Sequence, residues 1–258
     1  MADYDAIIVG AGAAGLMAAI HAAERGRRVL LLEKGKKPGV KILMSGGTRC
    51  NITHDCDARG IVAAFGPNGK FLHSALAAFG PADVLEFFHA EGVATKVEET
   101  GKIFPVSDRA VDVLDALLKR LQRSGATLSL SEPVNAIEPD AQARAGSTLA
   151  CASGSFQIIT TSRSLSCEKL LITTGGRSYP GCGTTGDGYA WAARLGHTIC
   201  PSGPLVPLTV TVRVVADLTR HQLPDVNLKV LDEEQTTHLR RGSMLFAHFD
   251  SPGRPRSM

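Results

Sequence analysis

The first part of the chain alternates short apolar runs with one longer amphipathic stretch. Residues 6–9 (AIIV) and 29–32 (VLLL) each have the length and composition of a buried parallel strand. Between them, residues 13–25 are mostly alanine and larger apolar residues, which predicts a helix, and Gly26 follows as a stop signal. The pattern predicts a strand–helix–strand unit, the building block of a parallel α/β sheet.

Periodicity predicts further elements along the chain. Two short helices are expected over residues 70–91, with Phe71 in an apolar stripe, and a hairpin over residues 93–106. A helix capped by Ser107 and Asp108 should run to Gly125. Candidate strands lie at residues 127–130, 134–137, near Leu149, at 156–161 and 169–173, and residues 198–217 alternate between strand and loop. We therefore predict an α/β fold with a Rossmann-like three-layer core.

The turn between the first strand and the first helix contains the spacing G-x-G-x-x-G. Gly10 permits the tight turn, Gly12 lets a pyrophosphate approach the backbone, and Gly15 lets the helix pack closely on the sheet. Ala13 and Ala14 begin the helix, whose free N–H groups and positive dipole end favour that phosphate. The motif predicts a dinucleotide site.

Glu33 closes the second strand. A carboxylate there can accept both hydroxyls of an adenosine ribose and would repel a 2′-phosphate. A glycine-rich turn without a ligand would leave Glu33 and the glycine spacing unexplained. The unit argues against NADP at this site but does not distinguish FAD from NAD.

Residues 34–53 (KGKKPGVKILMSGGTRCNIT) form a basic, glycine-rich segment that we expect to be an irregular connection. Lys34, Lys36, Lys37, Lys41 and Arg49 give it positive charge. It could approach the same dinucleotide, with cations offsetting phosphate or flavin charge. It could equally be a solvated surface loop, and physical reasoning alone leaves both interpretations open.

Together, GAGAAG and this basic segment closely resemble the BaiN/YhiN-type family of FAD-dependent oxidoreductases, also known as aminoacetone-oxidase-like flavoproteins. The chain matches the family pattern at Glu33, Gly39, Lys41, Ser45, Gly46, Gly47, Arg49, Cys50 and Asn51. It departs at Thr48, where the family usually has glycine and where a Cβ restricts the turn. The resemblance implies that the dinucleotide is FAD and that these residues, with Lys34, surround it.

The resemblance also implies contacts further along the chain. A backbone near Val134 is expected to touch the adenine, and the strand end at Thr174 and Gly175 is expected to pass close to the cofactor. Asp187 lies at a helix start, where N-capping and a ligand contact are both reasonable. We interpret Cys50 as a turn residue with an inert thiol rather than a redox thiol, and we assign no catalytic acid or base.

Composition argues against several classes of protein function. The net charge of +3 over 258 residues gives no argument for a nucleic-acid partner. The six cysteines are scattered, which indicates reduced thiols in the cytoplasm rather than disulfides or a metal site. No apolar run approaches the ~20 residues of a membrane helix. We also expect no signal peptide, because structure begins by about residue 5.

These observations predict an FAD-binding domain at residues 1–190, with an inserted helical and hairpin segment at about 60–106. Residues 191–258 should begin a β-rich substrate-side domain, expected to be truncated because the resemblance breaks after Phe249. The expected function is flavin-mediated hydride transfer to or from a small molecule, with NAD(P)H or the substrate itself supplying hydride. The alternatives are a non-catalytic or weakly FAD-binding truncated relative, and an FAD-dependent tRNA-modifying protein, against which the modest charge argues.

Overall fold

The computed structural model describes residues 2–139, 155–200, 222–231 and 237–245. The chain divides into two units, Met1–Cys200 and Pro201–Met258. This division comes later in the chain than the predicted boundary at residue 190. The last helix of the first unit contributes Trp191 to that unit's core.

A six-stranded sheet forms the centre of the first unit. Its strands are β1 (Tyr4–Val9), β2 (Val29–Leu32), β6 (Thr127–Ser129), β7 (Val134–Pro139), β8 (Phe156–Thr160) and β9 (Ser164–Ile172), in the spatial order β6-β2-β1-β9-β8-β7. The pairs β1–β2, β2–β6 and β1–β9 are parallel, whereas β7–β8 and β8–β9 are antiparallel. The carboxyl ends of the parallel strands therefore meet at one edge, where ligands bind in open α/β sheets.

The two faces of the sheet bury alternate residues of each strand. Helices α1 (Ala13–Glu24), α5 (Pro81–Ala90) and α6 (Ala110–Ser124) cover the face that carries Ile8 and Leu31. The opposite face carries Ile7 and Leu30 and packs against Trp191 of helix α7 (Asp187–Arg194). This alternation explains why the central strands read as continuous apolar runs, and it confirms the predicted α/β core.

The segment predicted to be an insertion, about residues 60–106, and the residues just before it contain helices and a small sheet. The helical part comprises α3 (Ala58–Ala64), a 3₁₀ helix (Gly66–Leu72), α4 (His73–Ala78) and α5. The predicted hairpin is confirmed as β4 (Thr95–Val97) and β5 (Lys102–Pro105), and β3 (Thr53–His54) pairs with β5 on its other side. The apolar stripe predicted through Phe71 is wrong there, because Phe71 lies in the 3₁₀ helix and is 90% exposed.

Two local predictions differ from the structure. The segment after β2 is not wholly irregular, because Gly39 adopts a left-handed conformation and starts a short helix, α2 (Val40–Met44). Helix α6 begins after Arg109 without a side-chain cap. Asp108 instead has φ of 54° and pairs with Lys96 and Arg49, since two cations compete with the helix for its carboxylate.

The second unit contains an antiparallel pair, β10 (Gln222–Leu231) and β11 (Thr237–Leu245). The predicted strand near Leu149, most of the segment at residues 198–217 and the break after Phe249 lie outside the described residues. Among the helices that the structure does describe, none has the length and apolar character needed to cross a membrane.

Candidate functional site

The three glycines of the first turn have different surroundings. Gly10 has φ of 106°, and a Cβ there would lie 2.7 Å from the Thr173 carbonyl oxygen. A Cβ on Gly15 would lie 1.9 Å from the Gly10 carbonyl oxygen. Gly12 has an ordinary extended conformation, and a Cβ there would meet no protein atom within 4 Å. The protein's own packing therefore requires Gly10 and Gly15, whereas the space at Gly12 faces a cavity.

This cavity has a volume of about 650 Å³ and lies at the carboxyl edge of the parallel strands. The first turn of α1 borders it through Ala13 and Ala14, and no side chain caps that helix end. The amide groups of this turn lack intrahelical acceptors, so they are available to an anion.

Glu33 lines the same cavity at the end of β2. Its carboxylate accepts hydrogen bonds from the backbone N–H of Ala11 (2.9 Å) and of Gly35 (2.8 Å). Because each carboxylate oxygen has two acceptor positions, both oxygens retain capacity for a ribose hydroxyl. The two amides fix the carboxylate beside the glycine turn, in the place expected for adenosine recognition.

The segment after β2 contacts the segment after β9 at three points. Lys34 Nζ donates to Thr185 Oγ1 (2.7 Å) and to Asp187 Oδ2 (2.6 Å). Lys41 Nζ donates to the Ser178 carbonyl oxygen (2.7 Å), and Cys182 Sγ lies 3.0 Å from Met44 Sδ. The hydrogen bond from Lys34 lowers the pKa of Asp187 below its ordinary value. We call these contacts the bridging contacts, because they join two segments that both line the cavity. The lining residues among them are Lys34, Lys41, Cys182 and Asp187.

The turn at residues 45–51 is held in a strained form. The Cys50 N–H donates to the Ser45 carbonyl oxygen (3.0 Å), and Ser45 Oγ donates to the Ile42 carbonyl oxygen (2.9 Å). Thr48 and Cys50 have φ of 72° and 66°, a region that non-glycine residues rarely adopt. Burial raises the pKa of the Cys50 thiol, which favours the protonated, unreactive form.

The structure brings most of the predicted site residues to the cavity and leaves four outside its lining. The lining includes Gly10, Gly12, Ala13, Ala14, Glu33, Lys34, Lys41, Ser45, Cys50, Asn51, Val134, Thr174, Gly175 and Asp187. Gly15, Gly46, Gly47 and Arg49 are not among the lining residues. The Arg49 guanidinium lies 4.0 Å from the centre of the Phe104 ring and pairs with Glu98 and Asp108. Its charge is therefore offset within the protein.

Sequence reasoning missed two parts of the lining. One is apolar and comes from several helices, with Met17, Ile42, Phe79, Val84, Phe88, Val113, Leu117 and Trp191. Phe88 illustrates a double role, because it is a buried core residue of α5 and also borders the cavity. The other is Glu132, a buried carboxylate whose charged partner, Arg163, is distant in sequence. Periodicity assigns such apolar positions to the core, and no local motif identifies Glu132.

These residues fit FAD. The open space at Gly12 is a cradle that a Cβ would fill, and it lies between the uncapped start of α1 and the Glu33 carboxylate. A phosphate and a ribose would find their expected partners there. Among the described residues, no cluster of three or more histidine, cysteine, aspartate or glutamate side chains could hold a metal ion.

Comparison with known proteins supports this reading. The sequence profile of the family described as HI0933-like protein Rossmann domain matches residues 4–244. The chain is 34% identical over 249 residues to the Escherichia coli protein named ribosomal RNA dihydrouridine synthase, covering 96% of this chain and 58% of that protein. It is 32% identical over 209 residues to 3-dehydro-bile acid delta(4,6)-reductase of Clostridium scindens, covering 80% of this chain and 47% of that protein.

The chain thus spans about half the length of the curated relatives it matches. Among solved structures, 3-ketosteroid-delta4-(5alpha)-dehydrogenase from Rhodococcus jostii RHA1 is 16% identical, with a TM-score of 0.48 over 68% of this chain and 46% of that chain. The family profile covers nearly the whole chain, and the glycine turn and Glu33 lie within it. The chain belongs to the HI0933-like Rossmann family, within the superfamily of FAD-dependent oxidoreductases.

Proposed function

We propose that the chain binds FAD in the cavity and takes part in the flavin-dependent reduction of a carbon–carbon double bond conjugated to a carbonyl group. The observation that carries the FAD assignment is the cavity itself, where the open space at Gly12 meets the start of α1 and the Glu33 carboxylate. A reduced nicotinamide is the proposed electron donor, and we place the reaction in the cytoplasm, which suits the free cysteines.

The names of two relatives support the reaction class. Dihydrouridine differs from uridine by two hydrogens across one ring double bond, and that bond is conjugated to a carbonyl group. A delta(4,6)-reductase of a 3-dehydro-bile acid acts, by its name, on ring double bonds near a ketone. The two names share one chemical step, the addition of hydride and a proton to an activated double bond.

The residues of this chain have binding and orienting roles in the proposal. The amides at the start of α1 hold the pyrophosphate, Glu33 holds the adenosine ribose, and Lys41 adds positive charge to the cavity wall. Bound FAD supplies a ring that accepts and donates hydride. Cys50 contributes a protonated thiol within a fixed turn rather than a nucleophile.

The first candidate substrate is a small apolar molecule, because helical apolar side chains supply much of the cavity lining. The second candidate is a uridine in ribosomal RNA, favoured by 34% identity to the Escherichia coli dihydrouridine synthase over 96% of this chain. The net charge of +3 gives the RNA candidate little electrostatic support.

The visible absorption spectrum of the purified chain after gel filtration tests FAD binding. We expect a flavin band that co-elutes with the protein after loading with FAD. Anaerobic mixing with NADH or NADPH should then bleach the band, and added substrate should restore it. A cyclic enone that restores colour supports the small-molecule substrate, and unmodified ribosomal RNA that does so supports the second candidate. A protein that remains colourless after loading contradicts the proposal at its first step.

A further inference from the structure

Glu132 is a buried carboxylate with an unusually complete set of partners. Its side chain is 7% exposed, and Arg163 donates to it from Nε and Nη2, both at 2.8 Å. Thr160 Oγ1 donates at 3.0 Å, Ser162 Oγ at 3.3 Å, and Ser129 Oγ also donates. These donors come from the end of β6, from the end of β8 and from the turn between β8 and β9. We call this group of residues the Glu132 cluster.

The backbone of the same loop is attached to the end of β2. The Glu132 N–H donates to the Glu33 carbonyl oxygen (3.0 Å), and the Ser131 N–H donates to the Gly35 carbonyl oxygen (2.9 Å). Ser131 has φ of 56°, a strained conformation for a residue with a Cβ. Such strain persists only where the surroundings over-determine it, and here the Glu132 side chain fixes the loop from its other side.

The Glu132 cluster therefore holds together strand ends that are far apart in sequence. Glu33, Glu132 and Val134 all line the cavity, so the loop between β6 and β7 is one of its walls. A buried ion pair is weak evidence for a contribution to stability, because apolar residues of similar volume often serve as well. What the pair does is fix one geometry, and the geometry it fixes is this wall.

We infer that Glu132, with Arg163, is a positioning residue for the adenosine half of the dinucleotide. The pair holds the loop of residues 130–133 against the end of β2, so that Glu33 and the Val134 backbone present a preformed surface to ribose and adenine. This inference rests on the proposed function in that the ligand is FAD. It adds a role for two residues, Glu132 in the cavity lining and Arg163 outside it, that hold this wall in place and take no part in hydride transfer.

Calorimetry with ADP, which contains only the adenosine and pyrophosphate groups, tests the inference. Glu132→Gln keeps the size of the side chain but removes its charge, and it should weaken ADP and FAD binding by the same factor of about ten. Glu138→Gln removes a charge from an exposed position on the neighbouring strand β7 and should leave both affinities unchanged. Arg163→Lys retains the charge but not the bidentate hydrogen bonding, and it should cause an intermediate loss of ADP affinity.

A second control separates positioning from general destabilisation. Leu121 is 3% exposed in α6 and does not line the cavity, so Leu121→Ala lowers stability without touching the wall. At a temperature well below the melting temperatures of the variant and of the unaltered protein, Leu121→Ala should bind ADP as tightly as the unaltered protein does. Equal losses in Leu121→Ala and Glu132→Gln would overturn the inference.

The double variant completes the test. If Glu132 and Arg163 act as one unit, Glu132→Gln combined with Arg163→Lys should lose little more ADP affinity than Glu132→Gln alone. If the loss of ADP affinity in the double variant equals the product of the two single losses, the two residues act separately, which would contradict the inference. An unaltered protein that binds neither ADP nor FAD refutes the proposed function. Unchanged binding by Glu132→Gln, with normal binding by the unaltered protein, refutes only the role of Glu132.

Discussion

At the scale of single residues, adding a side chain at Gly12 and at Gly15 should have opposite effects on flavin binding and on stability. Gly12→Val places its Cβ in open space, so the free energy of unfolding should fall by less than about 1 kcal/mol. The same side chain occupies the approach of the pyrophosphate, and flavin uptake should be abolished. Gly15→Ala forces a Cβ to 1.9 Å from the Gly10 carbonyl oxygen and should cost more than about 3 kcal/mol.

Far-UV circular dichroism during thermal unfolding and the flavin absorbance after gel filtration distinguish the two effects. A yellow Gly12→Val protein would show that the ligand does not approach this residue. A Gly15→Ala protein as stable as the unaltered chain would show that the turn can relax.

Glu33 is expected to contribute to both the ligand site and the turn beside it. Glu33→Ala removes the acceptor of the Ala11 and Gly35 amides and the partner of the ribose hydroxyls. FAD binding should weaken by roughly 1.5–3 kcal/mol, the scale of a lost charge-assisted hydrogen bond. Glu33→Gln keeps one acceptor oxygen and should lose less. Calorimetric titration measures both, and an unchanged FAD affinity in Glu33→Ala would contradict the assignment.

Much of the candidate site could be predicted because its determinants are local. Gly10, Gly12 and Glu33 belong to one strand–helix–strand unit, so their spacing in sequence fixes their positions in space. Arg49 shows the limit of this reasoning: it belongs to the same basic segment as Lys41, but Glu98 and Asp108 engage its side chain. Glu132 could not be predicted as a residue of the site, because strands β7 and β8 separate it in the sequence from its partner Arg163.

At the scale of elements, the contact between α2 and α6 depends on Gly39. This residue has φ of 67°, and a Cβ there would lie 2.4 Å from Leu114 Cδ1 in the core. Gly39→Ala should lower the free energy of unfolding by about 1–3 kcal/mol through backbone strain and crowding of Leu114. Gly92 has φ of 80° with no atom near a built Cβ, so Gly92→Ala carries only the strain, about 1 kcal/mol.

Urea unfolding of both variants isolates the contribution of the packing contact. Equal losses would show that Leu114 moves aside freely. A larger loss for Gly92→Ala would show that the junction of α2 and α6 is not closely packed.

The accuracy of the element predictions follows the strength of each signal. The central strands are buried on both faces, and their continuous apolar runs predict them well. The short helix α2 was missed, because five residues between glycines carry too little periodicity. The predicted cap of α6 was wrong, since Lys96 reaches Asp108 from the hairpin, a contact that propensities do not contain.

At the scale of the whole first unit, the Glu132 cluster should make stability depend on pH. The hydrogen bond from Arg163 lowers the pKa of Glu132 from 4.5 to about 2. The ionised carboxylate therefore stabilises the fold at pH values above 4.5, and this stabilisation is lost as the pH falls towards 2. The full loss is on the order of 3 kcal/mol.

The fluorescence of Trp191, the chain's single tryptophan, reports on this unit because the residue is buried against the central sheet. Urea unfolding at pH 7, 4 and 3 should show a falling midpoint, and Glu132→Gln should reduce that fall. Lys34 and other cations lower the pKa of further carboxyl groups, Asp187 among them, so part of the dependence should remain. An identical pH dependence in the variant would contradict this role for Glu132.

The bridging contacts also have a consequence for kinetics. Lys34, Lys41 and Met44 join two walls of one cavity, so a bulky dinucleotide that enters or leaves between these walls must first part them. The association rate should then reach a plateau at high FAD concentration, set by the opening step.

The Lys34–Asp187 pair is about one-third exposed, so salt should shorten the residence time of FAD. Asp187→Asn should speed release up to about fivefold, whereas Asp55→Asn, at an exposed position, should not. In stopped-flow experiments, an association rate that rises linearly at all FAD concentrations would mean that FAD takes another route into the protein.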